Sequence, residues 1–557
     1  MIASVEDGRV CLRGAVKNNQ HLASLPSASW DKREMKWTYF ASPIAAARLD
    51  RTLMKLVNTY TSDEPFQELL DDFERARQSV IWKQPPGIQA VKEMLDQGIN
   101  PFFTTTVPWV HQVCADSFLY GKPAALLAME MGTGKTLCAI QRILATRVMK
   151  TLVVAPLAVC EVWPEEWSEH TDGMPHELVT LDQNGSPKRA KKLHDTNIIC
   201  TAQGRKLIII VNYESFWREA IKKEILSTAF DMVIYDEIHK LKSPSGKASK
   251  FAARLVRQIP NRLGLSGTPL PNNPMDGFGV WRSIDPAMFG TVFTRYRSTY
   301  ARMGGYQGKV VIGWRNQDRF KRIMDLGTFR VDIDVLDLPE ATDTSRQLVL
   351  DDDSMVTYRQ MEKEFVVGVS TGVVTASNAL SRLVKLREIT CGFIIDDDGD
   401  TTSIHHLRDA LLADVLEEIG DEPVVVFCEF KEDVERIKEV CVVAEKRYGE
   451  VTGAAKDTVG GKFPPDTDIL ICNTRSGGLG LNLVAARFAI FYSVGFSLSD
   501  HLQARRRVHR GGQYKTVTYI HLVARGTVDE HVYKALRDKK EVIDDIMNAI
   551  KGGQYGI

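Results

Sequence analysis

A glycine-rich segment in the first half of the chain has the composition of a phosphate-binding loop. Residues 128–136, AMEMGTGKT, end an apolar run and precede the helix-like LCAIQRIL. Glycine lets backbone amides wrap a phosphate, and the N-terminus of the next helix turns further amides toward its charge. We expect the Lys135 amino group to reach the β- and γ-phosphates and the Thr136 hydroxyl to bind Mg2+. The predicted nucleotide contacts are Met131, Gly132, Thr133, Gly134, Lys135 and Thr136.

Two carboxylates at the end of a later aliphatic run complete this chemistry. Asp236 and Glu237 follow MVIY, and we predict that Asp236 holds Mg2+ while Glu237 polarises the attacking water. A solvated acidic turn is the alternative for this pair. For the loop, where Met129 replaces the first glycine of the strict motif, the alternative is a glycine-rich turn with an exposed lysine. Since both segments follow aliphatic runs about 100 residues apart, they predict one nucleotide-binding domain that uses Mg-ATP.

A basic segment near the end of the chain could supply charge to the same reaction. In QARRRVHR, residues 503–510, Arg507 and Arg510 lie three apart, on one face of a helix or turn. Such arginines can neutralise the charge that develops on a γ-phosphate, an effect of about 10³ to 10⁵ in rate in other enzymes. The alternative is a basic helix that faces DNA, a role that suits Arg505 and Arg506.

The elements that must position these residues are recurrent short aliphatic runs. Runs that end in polar or glycine residues are typical of buried strands in parallel sheets, whose ligands bind at the carboxyl ends of the strands. They fall into two groups, at about 105–285 and about 405–525. The runs are TLVVAPL, LIIIVNY, MVIYDE, RLGLSGTP, PVVVFCEF, DILICN and FAIFYSV. The sequence therefore predicts an α/β protein with two parallel-sheet lobes.

The same patterns predict a domain layout. A small N-terminal α+β domain is expected first, then a helical linker, a first lobe with a helical protrusion, a second helical protrusion or linker, and a second lobe with a bracing helix. The predicted ranges are 1–62, 63–100, 101–340 with the protrusion at 280–340, 341–404 and 405–557. The acidic DDDGD at 396–400 is interpreted as a hairpin turn, since Ile394 stands where a calcium loop needs an acid.

Composition excludes several classes of protein. Of the 557 residues, 44% are hydrophobic and 25% charged, which argues against a disordered or fibrous chain. Lys plus Arg and Asp plus Glu are both 71, so a uniformly cationic DNA binder is excluded. The zero net charge hides opposed segments, because 295–330 holds nine basic and two acidic residues while 340–400 holds six basic and twelve acidic. Nine scattered cysteines and no long apolar run predict a cytoplasmic protein without a membrane span.

Taken in order, the motifs resemble those of the Swi/Snf-type ATPases of helicase superfamily two. The segment PWVHQ resembles the glutamine motif, in which Gln112 would recognise adenine, and GTVDEHVYKAL resembles the bracing segment that follows the second lobe. The remaining matches, to motifs Ia, Ib, II, III, IV, V and VI, are VVAPLAVCEVWPEEW, VNYESF, DEIHKLKSPSGKASK, LSGTPLPNNPMDGFGVW, VVVFCEF, NTRSGGLGLNL and DHLQARRRVHRGGQ.

The resemblance implies a fold and a cycle. It implies two RecA-like lobes, with Gly480 and Gln503 as further ATP contacts and His239, Ser266 and Thr268 coupling the nucleotide to movement. ATP binding would close the lobes and hydrolysis would release them, so that repeated closure becomes stepping along DNA.

DNA contacts are also predicted. Small residues of motif V could approach a phosphate, and basic residues mixed with aromatic ones in 295–330 suit gripping of the DNA backbone. Solvated basic faces and a merely structural protrusion are the alternatives. The predicted contacts in the motor are Pro156, Tyr213, Lys242, Lys247, Arg295, Arg297, Trp314, Thr474, Gly478 and Asn482.

The N-terminal segment SWDKREMKW resembles the HARP-like substrate-recognition domain of annealing helicases, with Trp30 and Trp37 as DNA contacts. The alternative is a small β module in which both tryptophans belong to the core.

The leading hypothesis is an ATP-dependent translocase on double-stranded DNA. It would remodel branched DNA by fork regression, branch migration or strand annealing, or displace bound proteins. The alternatives are a strand-separating DNA or RNA helicase and an ATP-gated DNA clamp with little turnover. We expect double-stranded or branched DNA as partner, together with single-strand-binding or recombination proteins, and a monomer in a bacterial or phage-infected cell.

Overall fold

The protein is described from a computed structural model, which divides into two units, Met1–Val335 and Leu336–Ile557. The residues that the structure describes are 1–7, 9–17, 19–23, 25, 28–40, 43–57, 59–71, 93, 97, 100, 102–157, 159–171, 176–182, 185–267, 274–304, 310–336, 338–370, 376–396, 398–453, 455, 457–459, 461–474 and 481–538.

The first unit begins with a small mixed sheet in the order β3-β4-β2-β1-β5. Its antiparallel strands alternate inward and outward side chains, and the inward ones, such as Val10, Leu12 and Trp37, pack on Leu49 and Leu53 of one helix. These strands and helices have the mixed α and β composition predicted for residues 1–62. Its strands are β1 (Ile2–Glu6), β2 (Arg9–Arg13), β3 (Ser29–Asp31), β4 (Lys36–Phe40) and β5 (Thr61–Ser62), and its helices are α1 (Gln20–Ala23) and α2 (Pro43–Val57).

The first lobe is a seven-stranded sheet in the order β14-β6-β11-β10-β7-β9-β8, and every described pairing is parallel. Its aliphatic strands are buried because helices cover the sheet, and a fully buried aliphatic side chain contributes about 1.5–3 kcal/mol. The strands are β6 (Ala124–Met129), β7 (Lys150–Ala155), β8 (His176–Thr180), β9 (Lys206–Asn212), β10 (Met232–Tyr235), β11 (Asn261–Ser266) and β14 (Thr328–Val331).

Helices of the first lobe connect these strands, and some of them lie in the range predicted as a helical protrusion. They are α3 (Val110–Leu119), α4 (Lys135–Ala145), α5 (Val162–His170), α6 (Ser186–Gln203), α7 (Glu219–Ser227), α8 (Lys247–Leu255), α9 (Pro274–Ile284), α10 (Pro286–Phe289), α11 (Phe293–Tyr300) and α12 (Gln317–Gly327). The range predicted as a helical protrusion also holds the hairpin of β12 (Ala301–Gly304) and β13 (Val310–Trp314), and its strand β14 is an edge of the main sheet.

The second unit contains a six-stranded sheet in the order β15-β22-β21-β18-β20-β19, again parallel. Both predicted parallel-sheet lobes are therefore present. The strands are β15 (Ala341–Leu348), β18 (Val424–Cys428), β19 (Tyr448–Val451), β20 (Ile469–Asn473), β21 (Phe488–Phe491) and β22 (Val517–Ala524).

Strand β15 corrects the prediction that 341–404 is helical from its start. Its sequence, ATDTSRQL, has no aliphatic run because it lies at the sheet edge, where most of its side chains are exposed. The hairpin of β16 (Phe393–Ile395) and β17 (Thr401–Ser403) confirms the turn predicted at DDDGD.

Helices of the second unit surround its sheet. They are α13 (Asp352–Ser370), α14 (Ala376–Cys391), α15 (Leu407–Ile419), α16 (Lys431–Val443), α17 (Leu498–Val508) and α18 (Val528–Arg537). The predicted bracing helix α18 is held at Asp529, whose carboxylate accepts hydrogen bonds from Arg408 and Thr390.

Across the described part of the chain, no helix is both long and apolar enough to span a membrane. All nine cysteines are buried, and none of them forms a disulfide bond.

Candidate functional site

Sheet order brings three motifs together at one edge of the first lobe. Strand β11 lies between β6 and β10 and is parallel to both. The phosphate loop follows β6, the acidic pair follows β10 and motif III follows β11, so their first residues meet at the carboxyl ends of adjacent strands.

The phosphate loop turns into its helix through left-handed glycines. Gly132 and Gly134 have φ of 84° and 80°, and α4 begins at Lys135. Other residues rarely adopt this backbone, which explains glycine at both positions. Lys135 and Thr136 are the first two residues of the helix, where unpaired amides favour an anion. Met129 is the last, fully buried residue of β6, so the missing glycine of the strict motif is a core position here.

The glutamine motif is bonded to this loop. Gln112 is buried, its Oε1 accepts from the Trp109 backbone amide at 2.7 Å, and its Nε2 donates to the Thr133 carbonyl at 3.2 Å. The His111 ring Nε2 lies 2.8 Å from the same carbonyl. A bulkier residue at Gly134 would collide with the Gln112 amide, since an added Cβ would lie 2.1 Å from Nε2. Movement of Gln112 is therefore coupled to the shape of the loop.

Asp236 is a buried carboxylate with two fixed donors. The indole Nε1 of Trp163 donates to Oδ2 at 3.0 Å, and the backbone amide of Glu237 donates to Oδ1 at 2.9 Å. Burial, reinforced by the charge of Glu237, raises the pKa of Asp236 to about 6. A nearby cation would therefore be strongly favoured at this carboxylate.

Glu237 occupies a strained position beside Asp236. Its φ of 50° is in the left-handed region, which costs energy for a residue with a side chain. Its Oε2 lies 3.2 Å from the His239 ring Nδ1. Burial acts to raise the pKa of Glu237, but the contact with His239 and the charge of Lys135 outweigh it, so the pKa is lowered. Glu237 is thus held as a carboxylate.

Gly267, after β11, is where these groups converge. A Cβ added to it would lie 2.9 Å from Met131 Cγ, 3.2 Å from Lys135 Nζ and 3.6 Å from Glu237 Oε1. Only glycine lets the three approach so closely. Ser266, predicted to couple the nucleotide to movement, is fully buried one residue earlier. The predicted coupling residue Thr268 lies outside the described residues.

The donor set of this edge fits Mg2+. A carboxylate and a hydroxyl are oxygen ligands of the kind that Mg2+ binds, and desolvation of Asp236 leaves a charge that a cation would balance. Lys135 adds a positive group for phosphate oxygens.

Arg507 is a buried cation with unused donors. It is 1% exposed, and none of its three guanidinium nitrogens has a hydrogen-bond partner among the described residues. Burial lowers the pKa of Arg507. A buried guanidinium without an acceptor is costly, so this side chain suits an anionic ligand. Arg510 donates through Nη1 to the Leu481 carbonyl at 3.2 Å.

Other residues of motifs V and VI are placed as follows. Thr474 is buried, and its hydroxyl donates to the Cys428 carbonyl at 2.8 Å. Asn482 has a buried Oδ1 without a hydrogen bond to the described residues, and Gln503 lies on α17. Arg505 pairs with Asp343. Gly478 and Gly480 lie outside the described residues.

Two predicted DNA contacts in the first lobe also have structural partners. Tyr213 is buried, and its hydroxyl donates to the Asp236 backbone carbonyl at 2.8 Å. Tyr213 therefore supports the acidic strand end, which differs from the surface contact predicted for it. Pro156 is half-buried directly after β7, and its carbonyl accepts from the amides of the next turn.

The basic residues after motif II and in the protrusion remain accessible. The Lys242 side chain is 56% exposed and lies 3.9 Å from an Asp276 oxygen, and Lys247 Nζ lies 4.9 Å from the centre of the Trp217 ring. Arg295 is exposed, whereas Arg297 is half-buried over Phe293.

Several described aromatic residues of the basic segment 295–330 pack inward, while Tyr306 lies outside the described residues. Tyr296 and Tyr300 are buried with Phe278, and Phe320 packs on them. Trp314 is half-buried on β13. The described aromatic cluster therefore packs the helices of this range against one another and leaves the cations accessible.

The N-terminal tryptophans form an edge-to-face pair 5.4 Å apart. Trp37 is 5% exposed and its Nε1 donates to the Val16 carbonyl at 3.1 Å, so it packs in the core of the N-terminal sheet. Trp30 is half-buried on it. Lys36 is also buried and forms ion pairs with Glu6 and Glu34.

Two supporting residues were missed from the sequence. Trp163 bonds the Asp236 carboxylate, and His111 bonds the glycine-rich loop. Trp163 stands in the segment after motif Ia, but nothing in a lone sequence shows that its indole reaches a strand end 73 residues away.

Family models identify the chain. The SNF2-related domain matches residues 53–392, and the helicase conserved C-terminal domain matches residues 406–512. The chain is 26% identical over 450 residues to the putative protein p41 of Acyrthosiphon pisum secondary endosymbiont phage 1, covering 76% of this chain and 94% of that protein.

Longer relatives match over part of their length. The chain is 26% identical to the DNA excision repair protein ERCC-6 of Mus musculus, over 73% of this chain and 30% of that protein. It is 22% identical to the DNA repair and recombination protein RAD54B of Gallus gallus, over 83% of this chain and 56% of that protein. The chain thus spans less than two thirds of these two relatives.

Among solved structures, the Sulfolobus solfataricus SWI2/SNF2 ATPase core in complex with dsDNA aligns with a TM-score of 0.38 and 20% identity, over 82% of this chain and 95% of that one. The SNF2-related domain matches more than half of the residues of this chain. The chain therefore belongs to the SNF2-related family of Swi/Snf-type, helicase-like enzymes and is a DNA-dependent ATPase.

Proposed function

We propose that this ATPase is a translocase on double-stranded DNA that remodels branched DNA or displaces bound proteins. The observation that carries the proposal is the convergence of Lys135, Glu237 and the motif III glycine at one sheet edge. That arrangement serves turnover of ATP and not only its binding, because a carboxylate is held ionised beside the lysine of the phosphate loop.

In this proposal Asp236 and Thr136 would hold Mg2+, which supplies charge neutralisation on the phosphate oxygens. Glu237 orients and polarises the attacking water, and Lys135 holds the β- and γ-phosphates. Gln112 recognises adenine while its second donor stays on the loop. Gly480 and Gln503 are further proposed nucleotide contacts.

Arg507 and Arg510 are the proposed source of positive charge for the transition state. The unpartnered guanidinium of Arg507 supports this role, since an anionic acceptor would satisfy donors that the described residues leave free. His239, Ser266 and Thr268 are proposed to pass the state of the nucleotide to the rest of the motor, and the His239 contact with Glu237 supports the first of these.

The proposed track contacts are basic residues and motif V. Exposed cations contact phosphates without reading sequence, which suits a motor that must pass any DNA. The N-terminal domain, with Trp30 at its surface, is proposed to recognise branched DNA. The proposed contacts of the motor are Pro156, Lys242, Lys247, Arg295, Arg297, Trp314, Thr474, Gly478 and Asn482.

Phosphate release tests the proposal directly. We expect duplex and forked DNA to stimulate ATP hydrolysis much more than RNA does. Equal rates with and without every nucleic acid would exclude the motor.

Displacement of a third strand from a triplex separates the alternatives. A translocase removes that strand without opening the duplex, whereas a strand-separating helicase fails there and unwinds a tailed duplex. An ATP-gated clamp predicts that Glu237→Gln, which should trap ATP, leaves remodelling unchanged, and the translocase predicts its loss.

A further inference from the structure

A groove in the second unit belongs to none of the motifs described above. Helices α15 and α16 leave between them an open space of about 660 Å3. Its lining is mainly apolar and includes Ala410, Ala413, Leu416, Val440 and Val443. Val443, the last residue of α16, is 85% exposed on this lining.

Polar contacts link the two helices, or the turns that follow them, at both ends of the groove. At one end, Arg436 of α16 pairs with Asp409 of α15 at 2.7 Å. At the other, Lys446 Nζ donates to the Gly420 carbonyl at 3.0 Å and pairs with Asp421. Because these contacts fix the helix spacing, the groove is formed before any ligand arrives, which lowers the cost of binding.

The rim of the groove carries uncompensated negative charge. Asp414 and Glu417 on α15 and Glu439 on α16 are exposed and line it. Within the described part of the chain these three carboxylates have no ion pair, whereas the lining cations Arg436 and Lys446 are each matched by an aspartate. The groove therefore attracts a cationic ligand with an apolar face and repels an anionic one.

We propose that this groove binds a basic amphipathic helix of a partner protein. Each wall is a helix of 13 residues, about 20 Å long at 1.5 Å per residue. A helix of similar length would place aliphatic anchors at i, i+3 or i+4, and i+7 on the floor. Lys or Arg beside those anchors would meet Asp414, Glu417 and Glu439.

The test uses the full chain and a designed probe. The probe is a labelled 14-residue helical peptide with leucine anchors flanked by lysine, and its matched control carries glutamate in place of lysine. Fluorescence anisotropy without DNA should show micromolar binding of the lysine peptide and at least tenfold weaker binding of the glutamate peptide.

Variants locate the binding. Ala413→Trp fills the floor and the pair Glu417→Lys with Glu439→Lys reverses the rim, so each should weaken binding at least tenfold while DNA-stimulated ATPase activity is kept. Val442→Trp is the control, because Val442 is exposed on α16 outside the groove lining.

Equal binding of both peptides, or binding that Ala413→Trp leaves unchanged, would overturn the proposal. So would self-association of the chain that Ala413→Trp abolishes, since the occupant would then be a second copy.

Discussion

At the scale of single residues, Trp163 shows how the acidic pair is kept in place. Its indole is the side-chain donor to Asp236, so Trp163→Phe keeps the packing and removes the hydrogen bond. A hydrogen bond to a charged group contributes about 1.5–3 kcal/mol, and we expect kcat for ATP hydrolysis to fall roughly tenfold or more. Trp167→Phe is the matched control, since that buried indole on the same helix bonds His176. Equal loss in both variants would contradict a specific role.

Burial of Asp236 also makes stability depend on pH. Its pKa is about 6 in the folded protein and near the ordinary value of 3.8 when unfolded. Between these values the folded state binds more protons, so the protein without metal loses stability as pH rises through this window. Asp236→Asn should therefore raise Tm by a few degrees at pH 8 and by little at pH 4. Calorimetry with a chelator present measures this, and a variant that is less stable at pH 8 would refute it.

Replacement of Arg507 is expected to raise the stability of the protein and to lower its ATPase activity. Its guanidinium is buried without an acceptor among the described residues, so Arg507→Met removes a costly charge at similar volume. We expect a higher Tm together with a loss of about 10³-fold in ATPase rate. In contrast, Arg505→Met breaks an ion pair with Asp343 and should not raise Tm. An active Arg507→Met enzyme would remove Arg507 from the catalytic machinery.

At the scale of elements, α2 attaches the N-terminal domain to the first lobe. Arg48 donates through Nη1 to the Ala287 carbonyl at 2.6 Å and through Nη2 to the Met288 carbonyl at 3.0 Å, and burial lowers its pKa to about 10. Arg48→Ala should loosen this attachment and reduce the ratio of fork-stimulated to duplex-stimulated ATPase activity. Arg51→Ala, an exposed neighbour, should not. Faster hydrogen exchange in 43–57 would verify the loosening; an unchanged activity ratio despite it would show that the domain does not select forks.

Elements also show what the sequence could predict. Aliphatic runs such as those of β9 and β18 predicted the parallel sheets, because strands buried on both faces need continuous apolar side chains. Strand β15 was missed because an edge strand with mostly exposed side chains does not require a continuous apolar sequence. The mixture of basic and aromatic residues in 295–330 suggested a DNA surface, because such a mixture looks the same in sequence whether the aromatic rings stack on bases or, as Tyr296 and Tyr300 do, on each other. Tertiary packing alone separates these cases.

At the scale of the whole molecule, zero net charge and DNA binding are compatible because the charge is segregated. Inward packing of the aromatic cluster leaves cations of the protrusion exposed, among them Arg295, Arg319, Lys321 and Arg322. DNA affinity should therefore fall steeply with salt, with log K losing about 0.9 per neutralised phosphate for each decade of salt. Anisotropy with duplex DNA between 50 and 300 mM KCl measures the slope. Arg295→Ala and Arg319→Ala should each make the slope of log K against log salt shallower by about 0.9, the contribution of one phosphate contact. Glu530→Ala removes an exposed anion on α18 and should leave the slope unchanged. A slope near zero would mean that these cations do not face the DNA backbone.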